Sequence, residues 1–192
     1  MNIQQQYRRW VVLGLTLCLA LVLPARASRA GDFKVESAST SVVDGQVVLD
    51  AHIDYRFSDA ALEALGNGVP LIIEVQIEIE KDDAWPWERS VLDTRRRYRF
   101  RHHALAGTYQ VEDLESASLL NFATREAAIR TLGTIRGLPL IEHAALQTGE
   151  HYTARIRAFL DIEALPLPLR PLAYLSPSWR LASDWLSWSL RP

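Results

Sequence analysis

Apolar and polar residues alternate along four stretches of the chain, which is the period of a strand that buries one face. The stretches are residues 47–57, 71–80, 88–102 and 152–162. Asp44 and Gly45 precede the first of them and favour a tight hairpin turn, because both residue types tolerate positive φ. Residues 32–42 and 47–57 are therefore predicted to pair as a hairpin.

Two short helices interrupt this strand pattern. Ser58 is a good N-cap for a helix that begins at Asp59 and ends before the glycines at 66 and 68. Residues 121–132 predict a second helix, which Gly133 closes. Residues 108–114 and 179–190 are predicted to be extended, and residues 138–141 form a short apolar stretch.

The proline-rich stretch 165–171 is unsuited to a central strand. It predicts a rigid crossover between strands, with a polyproline ligand for a partner as the alternative.

Six or seven strands and two short helices predict a mainly β fold, an antiparallel β-sandwich that is immunoglobulin-like in outline. The chain contains no internal repeat and no linker-like segment. Residues 28–192 are about 165 residues, enough for one core, so a single β-sandwich-like domain is expected.

The first 27 residues have the three-part layout of a secretory signal peptide. Arg8 and Arg9 precede an apolar run over residues 10–23, and a small-residue pattern ends at Ala27. Cleavage is predicted after Ala27, with Ala30 as a second position, which makes the mature domain periplasmic and free of stable membrane insertion. If the signal helix is not cleaved, it anchors the domain to the inner membrane, although its 14 apolar residues are fewer than the roughly 20 of a spanning helix.

Removal of this segment changes the chemistry of the chain. Cys18 is the only cysteine, so the mature domain has no thiol for a disulfide, an iron–sulfur cluster or a nucleophile. The net charge falls from −2 to −5 with the loss of Arg8, Arg9 and Arg26. A domain with this net charge is expected to bind nucleic acid poorly, because proteins bind the phosphates chiefly through Lys and Arg.

The strongest charge feature is a run of arginines at positions 95, 96, 97, 99 and 101. Arg95, Arg97, Arg99 and Arg101 fall on one face of the predicted strand and form a candidate binding surface for an anionic ligand. The preceding strand exposes glutamates, so a ladder of ion pairs across the two strands is the favoured interpretation. Arg96 is out of phase with the others and faces the core side, where it requires a carboxylate partner.

Trp85 and Trp87 lie in a predicted loop and are the leading candidate contact residues, since tryptophan is enriched in binding hot spots. The alternative is that they close the end of the core, the role favoured for Trp179 and Trp185. No nucleophile elbow, glycine-rich phosphate loop or metal-binding histidine spacing is present in the sequence. The expectation is a protein without catalytic residues, metal or cofactor.

Three stretches resemble an exported proteobacterial family, domain of unknown function 4390. They are residues 58–71, 160–169 and 179–185. The resemblance covers essentially the mature chain and implies a periplasmic location. Members of that family are often encoded beside a membrane sensor kinase of nitrogen regulation, and the family has no established activity that could assign residue roles.

The sequence therefore favours a non-catalytic periplasmic interaction module, accessory to an envelope or sensor-kinase system, with another envelope protein as its partner. The alternative is a carrier of a small apolar or anionic ligand held between the sheets. A cavity lined by Tyr55, Phe57, Tyr98 and Phe100 would favour the carrier. The oligomeric state is not determined by these patterns.

Overall fold

A computed structural model describes residues 31–85 and 87–191. The signal segment, Ala27 and Pro86 lie outside the described residues. Within these residues, nine strands form two unclosed antiparallel sheets in a sandwich-like arrangement, and three α-helices accompany them. The predicted mainly β class is therefore confirmed. In chain order the elements are β1 (Asp32–Val43), β2 (Gln46–Arg56), α1 (Asp59–Gly66), β3 (Leu71–Lys81), β4 (Ser90–His103), β5 (Thr108–Asp113), β6 (Leu119–Phe122), α2 (Arg125–Leu132), β7 (Thr134–Glu142), β8 (Tyr152–Leu160), α3 (Arg170–Leu175) and β9 (Leu186–Leu190).

The small sheet has the order β1-β2-β7, and the large sheet has the order β6-β5-β4-β3-β8-β9. β1 and β2 form the predicted hairpin, with Asp44 at φ 49° and Gly45 at φ 77°. The large sheet is centred on β3, which pairs with β4 on one side and β8 on the other. Its central position explains why β3 is buried over most of its length on both faces.

The core lies between the sheets and is formed by the alternating residues that predicted the strands. Leu49 and Ile53 project from β2, and Ile73, Ile77 and Ile156 project from the large sheet; each is at most 2% exposed. The inward-facing positions thus confirm the period-two interpretation of β2, β3 and β8.

An aromatic cluster fills one end of this core. Phe33 meets Tyr55 at 4.8 Å and Phe57 at 5.2 Å between ring centroids, and Phe57 meets Phe100 at 5.8 Å. Edge and offset contacts of this kind stabilise a core beyond the burial of area.

Two helices begin at side-chain caps. Ser58 accepts a hydrogen bond from the Ala61 amide at 3.2 Å, and Thr124 accepts one from the Ala127 amide at 3.3 Å. The second cap corrects the predicted helix at 121–132. Residues 119–122 form the edge strand β6 instead, and the helix starts only at Arg125.

The proline-rich segment, predicted to be a rigid crossover between strands, connects β8 to β9 and is partly helical. Residues Ile162–Ala164 form one 3₁₀ turn, Arg170–Leu175 form α3, and Pro177–Trp179 form another 3₁₀ turn. Pro171 and Pro177 sit in the first turns of their helices, where a missing amide hydrogen is tolerated.

The sandwich has two ends that are used below. The base is the end where β1 begins and where α1 and α3 lie; the tip is the end with the β1–β2 turn and the β3–β4 loop. Phe33 packs near Phe100 at the base, whereas Val47 shares a second core cluster with Ile79 and Tyr152 at the tip. Each sheet therefore extends from the base to the tip, and β1 and β3 both begin at the base.

Among residues 31–85 and 87–191, no helix has both the length and the apolar composition needed to cross a membrane.

Candidate functional site

The two candidate surfaces predicted from the sequence lie on different parts of the domain. Arg95, Arg97, Arg99 and Arg101 are on the outer face of the large sheet, in β4. Trp85 and Trp87 are in the β3–β4 loop at the tip. The structure does not bring the arginines and the tryptophans into one site.

The arginines of β4 are paired with acidic or amide groups. Arg95 Nη1 lies 3.2 Å from Glu74 Oε1, although not in hydrogen-bonding geometry, and Arg99 Nη1 donates to Glu112 Oε2 at 2.6 Å. Arg97 Nε lies 3.8 Å from Glu115. Arg101 donates to Gln110 Oε1 at 3.1 Å.

Arginines and glutamates thus share one surface, as the ladder interpretation requires, but most partners differ from those expected. Glu112 is on β5 and Glu115 follows it, whereas the prediction paired all four arginines with β3. The cause is the sheet order: β4 lies between β3 and β5 and can pair with either. Because these guanidinium groups already have partners, the face has less capacity to hold an anionic ligand.

The glutamates of β3 are paired mainly on their other side, by arginines that the sequence reasoning missed. Arg155 of β8 forms ion pairs with Glu78 and with Glu80, the latter at 2.8 Å. Arg157 donates two hydrogen bonds to Gln76 Oε1, at 3.0 and 2.8 Å. The polar positions of β8 alternate with its apolar ones, and that alternation was the available signal.

Trp185 covers these two arginines. The guanidinium carbons of Arg155 and Arg157 lie 4.8 and 4.5 Å from the centre of its ring, within the range of a cation–π interaction. Trp185 is therefore partly exposed and not part of the core between the sheets, contrary to the role favoured for it. Trp179, at 3% exposed, does lie in the core as predicted.

Replacing Arg155 should destabilise the domain. Arg155→Met would leave the carboxylates of Glu78 and Glu80 without their cation, and the Glu78 side chain, which keeps the hydrogen bond from Gln76 Nε2, is only 12% exposed. Leaving such a group unpaired costs about 1–3 kcal/mol. The free energy of unfolding, measured with urea, is expected to fall by that amount. Arg125→Met is the control, because its pair with Glu126 is exposed and is worth less than about 1 kcal/mol. Equal losses in the two variants would contradict the structural role of Arg155.

Arg96 faces the core side opposite Val75, as its phase predicted. It is only partly buried, and its Nε atom has no hydrogen-bond partner among the described residues. The expected carboxylate partner is not seen there. Partial exposure explains why the position is tolerated, since the rest of the guanidinium can still reach water.

The histidines are distributed over separate surroundings. His52 Nε2 lies 3.6 Å from Glu36, His102 stacks on Tyr109 at 4.6 Å, and His103 is hydrogen-bonded to Gln110. Within residues 31–85 and 87–191, no three His, Cys, Asp or Glu side chains are grouped in a way that could hold a metal ion.

The tryptophans of the β3–β4 loop are exposed and stacked on each other. Trp85 is 66% exposed and Trp87 is 75% exposed, and their rings lie 5.2 Å apart at an angle of 13°. They do not close the end of the core. An apolar surface of this size that remains in water is typical of a recognition site.

The residues at the two ends of this loop are hydrogen-bonded to each other and to β8 and the residue before it. The Lys81 amide donates to Arg89 O at 2.8 Å, and the Asp82 amide donates to His151 O at 3.0 Å. Thr153 Oγ1 donates to Asp82 Oδ1 at 2.7 Å. Fixed anchors limit the conformational entropy that the loop would lose on binding.

Two clefts flank the 3₁₀ turn His143–Ala145 at the tip. One, of about 370 Å³, is lined by Trp85, Asp83, Glu88, Tyr152 and their neighbours. The other, of about 360 Å³, lies between the β1–β2 hairpin and β9 and includes Val42, whose side chain is 52% exposed. The tip therefore offers concave, partly apolar surface on both sides of the turn.

Three of the aromatic residues considered for a ligand cavity instead pack together. Tyr55, Phe57 and Phe100 are at most 8% exposed and contact one another through their rings. Tyr98 lines a smaller cleft of about 180 Å³ between α2 and the inner face of β5 and β6. The carrier interpretation stays a prediction, and three of the four residues expected to line its cavity fill the core instead.

The described residues define a mainly β, sandwich-like domain with an internally paired charged sheet and an exposed tryptophan loop. The family described as Domain of unknown function (DUF4390) matches residues 30–189, so the chain belongs to that family and the resemblance inferred from the sequence is confirmed. No significant match was found among curated proteins or among solved structures.

Proposed function

We propose that this protein is a non-catalytic interaction module of the periplasm that binds another envelope protein through its tip. The observation that carries the proposal is the stacked, exposed pair Trp85 and Trp87 on an anchored loop. Tryptophan is the residue type most enriched in binding hot spots, and a preorganised pair binds at a low entropic cost.

The charges around the loop indicate the chemistry of the partner. Asp83 and Glu88 line the cleft beside Trp85, while Lys81 of the same cleft is engaged by Glu150 at 3.0 Å. An acidic rim around an aromatic pair suits a segment that carries a basic residue beside an apolar one. Arginine fits best, because its planar group also stacks on tryptophan.

Loss of the tryptophans should abolish capture of the partner. A photo-crosslinking amino acid at Asp83 in the full chain, expressed in intact cells, is expected to capture one recurrent envelope protein, identified by mass spectrometry. Trp85→Ala with Trp87→Ala should reduce that product by at least about tenfold, since hot-spot truncations cost 2 kcal/mol or more. Both side chains are exposed, so the stability of the variant should stay within about 0.5 kcal/mol of the wild type.

The matched control removes exposed apolar surface at the base. Leu105→Ala changes a fully exposed side chain in the β4–β5 turn and should leave the crosslink unchanged. Undiminished capture by the double tryptophan variant would show that the tip is not the binding site.

The periplasmic location requires its own test. N-terminal sequencing of the protein from the envelope fraction should give a mature chain that begins at Ser28, with cleavage after Ala27. A chain that retains Met1 would contradict the cleaved form and support inner-membrane anchoring.

A further inference from the structure

The segment around α3 exposes several large apolar side chains at the base. Leu167 is 72% exposed, Leu172 is 58% exposed and Leu175 is 83% exposed, while Ala173 is buried on the opposite side of the helix. Single exposed leucines are ordinary on protein surfaces. Three within nine residues, on α3 and the turn before it, form a local apolar surface, called here the leucine patch.

Hydrogen bonds fix this segment to the base of the sandwich. The Asp161 amide donates to Ile72 O at 2.9 Å, at the start of β3. The hydroxyl of Ser58 donates to Ser178 O at 2.6 Å, which joins the N-terminus of α1 to the 3₁₀ turn after α3. The leucine patch is consequently held in place by contacts on both of its sides.

The chain enters the domain beside this same segment. A β-carbon placed on Gly31 would lie 2.7 Å from Leu181 Cδ2 and 2.4 Å from the Ser58 nitrogen. The apolar run of the sequence ends at Leu23, eight residues before Gly31. Eight extended residues span at most about 28 Å, so in the uncleaved form an apolar run held in a bilayer would keep the base within that distance of its surface.

Cationic side chains accompany the leucines. Arg180 is exposed and donates to the carbonyl of Tyr174 at 3.4 Å, and Arg170 is partly exposed. Arg29, which stays in the chain after cleavage at Ala27, precedes Gly31 by two residues in the sequence. Leucines that enter the boundary of the acyl chains, with arginines at the level of anionic headgroups, are the two components of interfacial membrane binding.

We propose that the base rests on the surface of a phospholipid bilayer through the leucine patch. The domain then stands with its base on the membrane and its tryptophan tip pointing away from it, toward a partner. This contact is peripheral and does not depend on the tip, so the binding proposal for Trp85 and Trp87 can fail without affecting it.

A fluorescent probe at single cysteines tests the orientation. The full chain, as the cell exports and processes it, carries Cys18→Ser and either Leu175→Cys at the base or Val43→Cys at the tip, each labelled with an environment-sensitive dye. Vesicles of phosphatidylethanolamine and phosphatidylglycerol in a three-to-one ratio are expected to shift the emission of the label at 175 to the blue and to leave the label at 43 unchanged. Val43 is a suitable reference because it is 50% exposed.

Each other outcome overturns the proposal. No shift at 175, or equal shifts at both positions, excludes a membrane-facing base. A shift at 175 that grows with protein concentration without vesicles assigns the leucine patch to a second copy of the chain. The readout does not depend on whether the signal segment is retained, since tethering alone does not insert the side chain.

Charge substitutions in the leucine patch measure how much it contributes to vesicle binding. Leu172→Glu with Leu175→Glu should weaken co-flotation with the same vesicles by at least about tenfold. Val42→Glu with Val43→Glu adds the same two charges on exposed apolar positions at the tip and should leave flotation unchanged. Equal flotation of the two variants would contradict the proposal.

Discussion

Phe100→Ala is expected to lower the free energy of unfolding by about 3–5 kcal/mol, the range for phenylalanine truncation in a core that cannot collapse. Phe100 is completely buried, lies opposite Leu71 in the large sheet and contacts the rings of Phe57 and Tyr109 at 5.8 and 6.1 Å. Truncation removes its contacts with both neighbours at once. A domain of this kind is stable by only about 5–15 kcal/mol, so the loss is a large share of the total.

The measurement is chemical denaturation followed by far-UV circular dichroism. Leu105→Ala is the control, because Leu105 follows β4 by two residues but is fully exposed and should change stability by less than about 0.5 kcal/mol. If Phe100→Ala lowers the free energy of unfolding by less than about 1 kcal/mol, the aromatic cluster contributes little to the stability of the core at the base.

The strands of the core could be predicted because burial alone sets their pattern. Every second position is buried from Leu49 through Ala51 to Ile53 in β2 and from Ile73 through Val75 to Ile77 in β3, and each side chain lies in the core that the alternation implied. The same period placed Arg96 on the inner face of β4. A two-residue period reports which side of a strand is buried, and it does so for charged residues as well.

The neighbours of each strand could not be read from the same pattern. Glu112 pairs with Arg99, and Arg155 pairs with Glu78, because β5 and β8 flank the central hairpin. Sequence separation gives no direct measure of that order. Hence the acidic and basic surface was predicted correctly, while most of its individual partners were not.

The region around β6 and α3 was mispredicted for local reasons. Residues 119–122 pair with β5, and that pairing overrides any helical tendency of Asn121 and Phe122. Thr124 then supplies the cap that starts α2. In the proline-rich stretch only a rigid crossover was predicted, and α3 was missed there, although a proline in the first turn of a helix, as Pro171 is, is compatible with it.

The candidate contact residues at the tip rest on a different kind of inference. The sequence placed Trp85 and Trp87 in a loop but left open whether they closed the core. Their exposure decides that question, because the core at the tip is already closed by Val47, Ile79 and Tyr152. Because Trp85 and Trp87 are exposed and belong to neither core cluster, a binding role is the better hypothesis for them.

Alkaline pH is expected to destabilise the domain through two tyrosines between the sheets. Burial raises the pKa of Tyr55, which also lies near Tyr98, and burial together with the Asp113 carboxylate raises the pKa of Tyr98 to about 12. Below pH 10 both phenols are protonated in the folded and the unfolded chain. Above it the unfolded phenols ionise near their ordinary pKa, while the folded ones remain neutral. The folded state then binds more protons, so the free energy of unfolding falls as the pH rises.

The loss begins near pH 10 and continues to about pH 12 for Tyr98, where it amounts to about 2 kcal/mol; Tyr55 extends it further. Guanidinium unfolding over that range measures it. Tyr55→Phe with Tyr98→Phe should flatten the pH dependence, and Tyr55→Phe alone should cost little at neutral pH, because the Tyr55 hydroxyl is buried without a hydrogen-bond partner among the described residues. An unchanged slope in the double variant would mean that these phenols ionise as readily in the folded chain as in the unfolded one, which would contradict the burial that raises both pKa values.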